Sequence, residues 1–228
     1  LREEFHGKCV DWYQKQSPSH ELQIELIYHT IKSTQFEAAS EIIVSEGRQL
    51  VSQGYMELLG LIEQVETADL ASDVVVRMAQ IQGDILALLG RLTEAEEVLN
   101  ATLERASSSA DELVQAEILS SLADVSRKQG NSDVSLSRHK EALKHYISLG
   151  NARWAARTYN NIGYLLRRKN ERSKALEAYG EVEAILESSN DDDLIYSQIT
   201  LARSLIELGE VDRAREHAMA SHERTSEL

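Results

Sequence analysis

The stretch TYNNIGYLLRRKNERSKALEAY, residues 158–179, decides the fold. It places Gly163 inside an apolar, helix-forming run, a turn-forming residue seven positions later at Asn170, and Ala175 five positions after that. Working outward, the same trio recurs as Gly83, Gly90 and Ala95, as Ala123, Gly130 and Ser135, and as Ala202, Gly209 and Ala214. The first column steps by 40, 40 and 39 residues. A small residue lets a second helix approach closely, and glycine or asparagine suits a helix C-terminus or tight turn. The second small residue then falls where the return helix crosses the first. Apolar residues at helical spacing, such as Leu201, Leu205 and Leu208, surround these columns. The pattern predicts four helical hairpins at about 70–109, 111–149, 151–189 and 192–228, within a repeat region 67–228. Thr93 followed by Glu96 reads as a capping box, and Ser189 with Asp191-Asp192-Asp193 as the entry to the last hairpin.

The bulk composition agrees with an all-α chain. Of 228 residues only 5% are aromatic and one is proline, Pro18, whereas all-β domains need frequent turn residues and aromatic or β-branched strands. The net charge of −14 makes the chain a poor binder of nucleic acid or of anionic membrane. Cys9 is the single cysteine, which excludes an internal disulfide framework and a multi-cysteine zinc site. No run approaches 18 apolar residues and no leader is evident, so the expected setting is soluble and cytoplasmic. The first residue, Leu1, is not methionine, which suggests a piece of a longer protein.

The three columns, a small residue, a Gly turn and then Ala, resemble the tetratricopeptide repeat. A unit of about 40 residues exceeds the usual 34 or so by about 1.5 helical turns, and TYNNIGYLLRRKNERSKALEAY is similar to the long-helix version of that repeat. The resemblance implies a right-handed superhelical solenoid of helical hairpins. HEAT-like repeats of about 40–47 residues are the structural rival. The unit 111–150 departs most from the pattern, with Ser126, Ser135 and His139 where apolar or small residues are usual.

Residues 1–66 lie outside the register but read as helical. Ser17-Pro18 suits a helix start, IELIYHTIKSTQFEAASEII a hairpin with Phe36 and Ala39 in tetratricopeptide-like places, and GRQLVSQGYMELLGLIEQV two shorter helices broken near Gly54. FHGKCVDWYQKQ, YHTIKSTQFEAASEII and EGRQLVSQGYMELLGLIEQV together resemble the junction segment of STAND-type signalling ATPases of the maltose-activator kind. That resemblance implies a sensor array following a nucleotide-binding switch and a winged-helix module. The chain has no Walker-type Gly-rich loop, so such an ATPase would lie outside it.

Candidate chemistry is sparse. The seven histidines form no HExxH or other close ligand set, so neither a metal nor another cofactor is expected, and His6 and His29 match packing positions of the resembled family. Cys9, between Lys8 and Val10, reads as a half-buried structural thiol. The Asp191–Asp193 run lacks the alternating oxygens, glycine and terminal glutamate of a calcium loop. No convergent titratable cluster marks a catalytic site, and no enzyme is expected.

One segment is basic: residues 151–190 carry seven Lys and Arg against five Glu. With Gly163 as anchor, the face of the first helix that lines the groove in tetratricopeptide folds is Arg157, Asn160, Asn161, Tyr164, Arg167 and Arg168. The preceding unit adds Ser120, Asp124, Arg127 and Lys128, and the following one Tyr196 and Arg203. Arginine binds carboxylates bidentately, and asparagine offers a donor and an acceptor to an extended backbone. The paired asparagines resemble peptide-binding members of the family. The plain alternative is a solvated face whose arginines pair with neighbouring glutamates. The expected function is a non-catalytic sensor or interaction module, the regulatory repeats of a larger signalling ATPase or transcriptional regulator. Its expected partner is a protein or peptide, acidic in character, or a small-molecule inducer. A free-standing scaffold or co-chaperone-like adaptor binding peptide tails is the alternative.

Overall fold

A computed structural model describes residues 2–16, 19–65, 70–107, 111–188 and 194–227; Ser17-Pro18, Ser189 and Asp191–Asp193 lie outside them. Among the described residues every regular element is a helix. In chain order these are α1 (Arg2–Tyr13), α2 (His20–Lys32), α3 (Phe36–Ser52), α4 (Leu58–Val65), α5 (Ser72–Leu88) and α6 (Leu92–Ser107). They continue as α7 (Glu112–Lys128), α8 (Ser132–Ser148), α9 (Ala152–Arg168), α10 (Arg172–Ser188), α11 (Ile195–Glu207) and α12 (Val211–Glu227). No described helix is long and apolar enough to cross a membrane.

The turn column is explained by backbone geometry. Gly90, Gly130, Asn170 and Gly209 all have positive φ, between 61° and 86°. In each case the next residue's N–H reaches back five positions: Arg91 to Leu86 O, Asn131 to Ser126 O, Glu171 to Leu166 O and Glu210 to Leu205 O, at 2.8–2.9 Å. This is the Schellman closure, which satisfies carbonyls that the helix end would leave unpaired. Asn170 is the one non-glycine among the four, and asparagine tolerates the left-handed region better than other side chains.

The chain divides into two compact units, 1–114 and 115–228. In the first, α2 packs on α1, α3 and α4, and α5 on α3, α4 and α6. The register extends into this unit further than the repeat columns suggest. Thr34 has φ 63°, Gln35 N–H bonds to Thr30 O, and Ala39, five residues on, is fully buried. The small-residue place seven positions before the turn is instead Ile27, also fully buried. GRQLVS continues α3 rather than forming a helix of its own, and the break falls at Gly54, φ 93°. Helix α6 begins at Leu92, so Thr93 sits inside its first turn instead of capping it. Arg91 and Glu94 are paired there through two bonds of 2.8 and 2.6 Å.

The small-residue columns mark helix crossings in both units. Gly83, Ala95, Ala123, Ser135, Gly163, Ala175, Ala202 and Ala214 are all buried. A Cβ built on Gly83 would lie 2.5 Å from the side chain of Leu99, and one on Gly163 would overlap the ring of Tyr179. Both glycines exist because a large residue from the return helix, sixteen positions later, occupies the space a side chain would need.

Candidate functional site

Helix α9 carries the basic segment. Asn151 starts it, its side-chain oxygen accepting from Trp154 N–H at 3.2 Å. The helix packs on α8, α10 and α11 and buries Ala155, Ala156, Thr158, Ile162, Gly163, Leu165 and Leu166. Residues at i, i+4, i+7 and i+11 share one face of a helix. Here that arc is Arg157, Asn161, Tyr164 and Arg168, all partly or fully exposed. Asn160 and Arg167 fall on the adjoining edge, toward α11. Their roles differ for that reason. Asn160 is 3% exposed and its Nδ2 donates to Ser197 O of α11 at 3.0 Å. Arg167 pairs with Glu207 of α11 at 2.5 Å.

The structure brings Arg127, Arg157, Asn160 and Asn161 together with Asp124, Tyr196, Ser197 and Thr200 around a cavity of about 200 Å³. Tyr164, Arg167 and Arg168 lie further along α9 and do not line it. There the guanidinium carbons of Arg167 and Arg168 sit 5.4 and 6.0 Å from the Tyr164 ring. Arg203 is exposed on α11, outside the cavity.

Much of the segment's charge is consumed locally. Lys169 contacts Asp133 at 2.5 Å and Glu171 at 3.4 Å, Lys174 contacts Glu171 at 2.6 Å, and Arg172 contacts Glu210 at 2.7 Å. Arg172 also donates to Leu208 O. Arg157 differs. It is exposed and pairs with no carboxylate among the described residues. Its guanidinium is held against aromatic rings instead, 4.9 Å from the Trp154 centroid and 6.0 Å from that of Tyr196. Trp154 stacks at 5.8 Å and 14° on the fully buried Tyr146, whose hydroxyl lies 3.2 Å from Ser120 Oγ. A cation over an aromatic face gains about 0.5–1 kcal/mol at an exposed site. The ladder holds the group while its N–H donors have no partner among the described residues.

Two further polar features stand out, one lining the cavity and one that feels the charges of its lining residues. Asn160 Oδ1 is buried with no protein partner. His139 of α8 is fully buried, and both its ring nitrogens also lack partners. Burial pushes its pKa down to about 4, with Asp124 opposing the shift and Arg127 and Arg157 adding to it, so the ring is neutral at pH 7. Sequence reasoning missed Trp154, Ser197, Thr200 and the involvement of His139. Trp154, one turn before Arg157, could have been found from the spacing. The α11 residues could not, since their approach to Asn160 depends on how the hairpins stack. No group of three or more potential metal-ligating side chains occurs among the described residues.

No curated protein sequence matches the chain. Several solved structures share its architecture at identities that show the fold alone. Aspartyl phosphate phosphatase F of Bacillus subtilis is 12% identical with a TM-score of 0.68, over 96% of this chain and 60% of that one. A signal transduction ATPase with numerous domains and a tetratricopeptide repeat sensor, from Pyrococcus horikoshii, is 16% identical with a TM-score of 0.61, over 97% of this chain and 40% of that one. A Rap protein complexed with competence and sporulation factor is 12% identical with a TM-score of 0.57, over 98% of this chain and 80% of that one. The tetratricopeptide-repeat family model matches residues 77–148 and 114–188. With the αL turns and glycine crossings in the same register, residues 77–188 are tetratricopeptide repeats in an all-α solenoid fold.

Proposed function

We propose that this chain is a non-catalytic sensor and interaction module that holds an acidic peptide or protein segment at the cavity of α7, α9 and α11. In this reading a carboxylate of the ligand meets Arg157, and Arg127, Asn160 and Asn161 supply the neighbouring polar contacts. Tyr164, Arg167, Arg168 and Arg203 flank the path of a longer ligand, and binding regulates an effector attached to the repeats or partnered with them.

The observation that carries the reading is Arg157, exposed, without a carboxylate partner among the described residues and set in place by Trp154 and Tyr196. The unpartnered Asn160 Oδ1 adds to it. An unmet buried carbonyl costs about 1–3 kcal/mol, a cost removed when a ligand N–H reaches it. The Pyrococcus ATPase carries a tetratricopeptide repeat sensor and the Rap protein is complexed with competence and sporulation factor, and both are in keeping with a regulatory, ligand-holding role.

The test is a fluorescence-anisotropy titration with a labelled glutamate-rich decapeptide, against wild type, Arg157→Glu and Arg91→Glu. A charge-assisted contact contributes about 1.5–3 kcal/mol, so Arg157→Glu is expected to weaken binding about tenfold or more. Arg91→Glu, in the other unit, is expected to bind as wild type does. Equal affinity of wild type and Arg157→Glu at low salt would sink the assignment.

A further inference from the structure

We infer that Asp124 tunes the charge preference of this cavity, weakening the binding of a dianion such as phosphate or a phosphorylated side chain more than that of a single carboxylate. The inference rests on the function proposed above and adds the class of group bound. Among the residues lining the cavity Asp124 is the one acid, facing two cations, Arg127 and Arg157.

Geometry commits one of those cations. Arg127 Nε and Nη2 both donate to Asp124 Oδ1, at 3.4 and 3.3 Å. Arg157 has no carboxylate partner among the described residues, and His139, which feels the charges of Asp124, Arg127 and Arg157, is neutral at pH 7. The lining therefore presents a net charge of one positive unit. One carboxylate at Arg157 neutralises it. A phosphate dianion meets twice the repulsion from Asp124 that a single carboxylate meets, and a like charge held in a partly enclosed site is a means of weighting one partner against another. The repeat does not fix this residue: the same register position holds Asp84 in the preceding hairpin but Tyr164 and Arg203 in the next two.

The magnitude follows from Coulomb's law. Two unit charges about 4 Å apart interact by about 1 kcal/mol in water, which is roughly a fivefold change in affinity. Neutralising Asp124 thus favours a monoanion about fivefold and a dianion about fivefold more again. The experiment titrates wild type, Asp124→Asn, Asp124→Ser and Arg157→Glu with acetate and with inorganic phosphate, at fixed ionic strength and pH 7.5. The arginine Nε–H resonances of Arg127 and Arg157 report binding by NMR. Both Asp124 variants are expected to tighten phosphate about fivefold more than acetate. An unchanged phosphate-to-acetate ratio, with binding still abolished by Arg157→Glu, overturns this inference and leaves the proposed function standing. Anion binding that Arg157→Glu does not weaken, or no binding of either anion, overturns both.

Discussion

The hairpins α7–α8 and α9–α10 solve one packing problem with different chemistry. In α9–α10 the crossing is Gly163 against Tyr179, with no room for a Cβ. At the same register α7–α8 has Ala123 and His139, both fully buried. The extra methyl on one helix is matched by a smaller ring on the other. Volume is kept while the buried polar group changes from the phenol of Tyr179, whose hydroxyl has no partner, to an imidazole. The neighbouring places in α7–α8 are polar too: Ser126 and Ser135 are 1% and 0% exposed. Ser126 donates to Leu122 O at 2.8 Å and accepts from Arg138 Nη1 at 2.5 Å, whereas Ser135 Oγ and both nitrogens of His139 have no partner. A repeat register thus dictates the space a side chain fills, and leaves its hydrogen bonding to be met or not by each hairpin.

The sharpest way to break this comparison is acid. His139 titrates near 4 when folded and near 6.5 when unfolded, so the unfolded chain binds more protons between those values. Its folded pKa is lowered, and the stability at stake is therefore intact above about pH 6.5 and lost as pH falls toward 4. A shift of one pKa unit is worth about 1.4 kcal/mol, which makes the loss at pH 4.5 about 2–3 kcal/mol. His139→Leu installs the residue found at the equivalent crossing, Leu99, and is expected to abolish that part of the acid loss. Urea unfolding of both proteins at pH 7.5 and 4.5 decides it, and equal pH dependence in the two would show that His139 does not carry the effect.

A double-mutant cycle tests whether volume is what the register conserves. Gly163→Ala pushes a methyl into the Tyr179 ring and is expected to cost about 1–3 kcal/mol by overpacking. Adding Tyr179→His recreates the α7–α8 pair. The double variant should be more stable than the two single losses summed predict, by about 0.5–3 kcal/mol of coupling. Strict additivity in thermal unfolding would mean that the two sites do not share the space.

The smallest effect separates the turns. Gly130→Ala forces an L-residue with a Cβ into the left-handed region, at a cost of about 1–2 kcal/mol. Gly130→Asn copies Asn170 and should cost only a few tenths of that range. If the two variants melt together, the left-handed geometry at this turn is not what selects its residue.

The sequence by itself determined the all-helical class and the residue types at turns and crossings. The turn residues were legible because a left-handed φ is a demand on a single residue, and the crossings because one helix period fixes which side chains meet. What only the tertiary structure decided is which charges remain. A count over residues 151–190 reads as a basic island, yet Arg167, Lys169 and Arg172 meet Glu207, Asp133 and Glu210, each 36–40 positions away in the chain. Those acids lie at the same height of a neighbouring hairpin, a relation set by stacking that no local window of charge contains. The same stacking turned Asn160 inward to Ser197 and left Arg157 on its aromatic ladder as the open cation of the cavity. The helical period chose the face of α9, and the neighbouring hairpins chose which of its residues a ligand can meet.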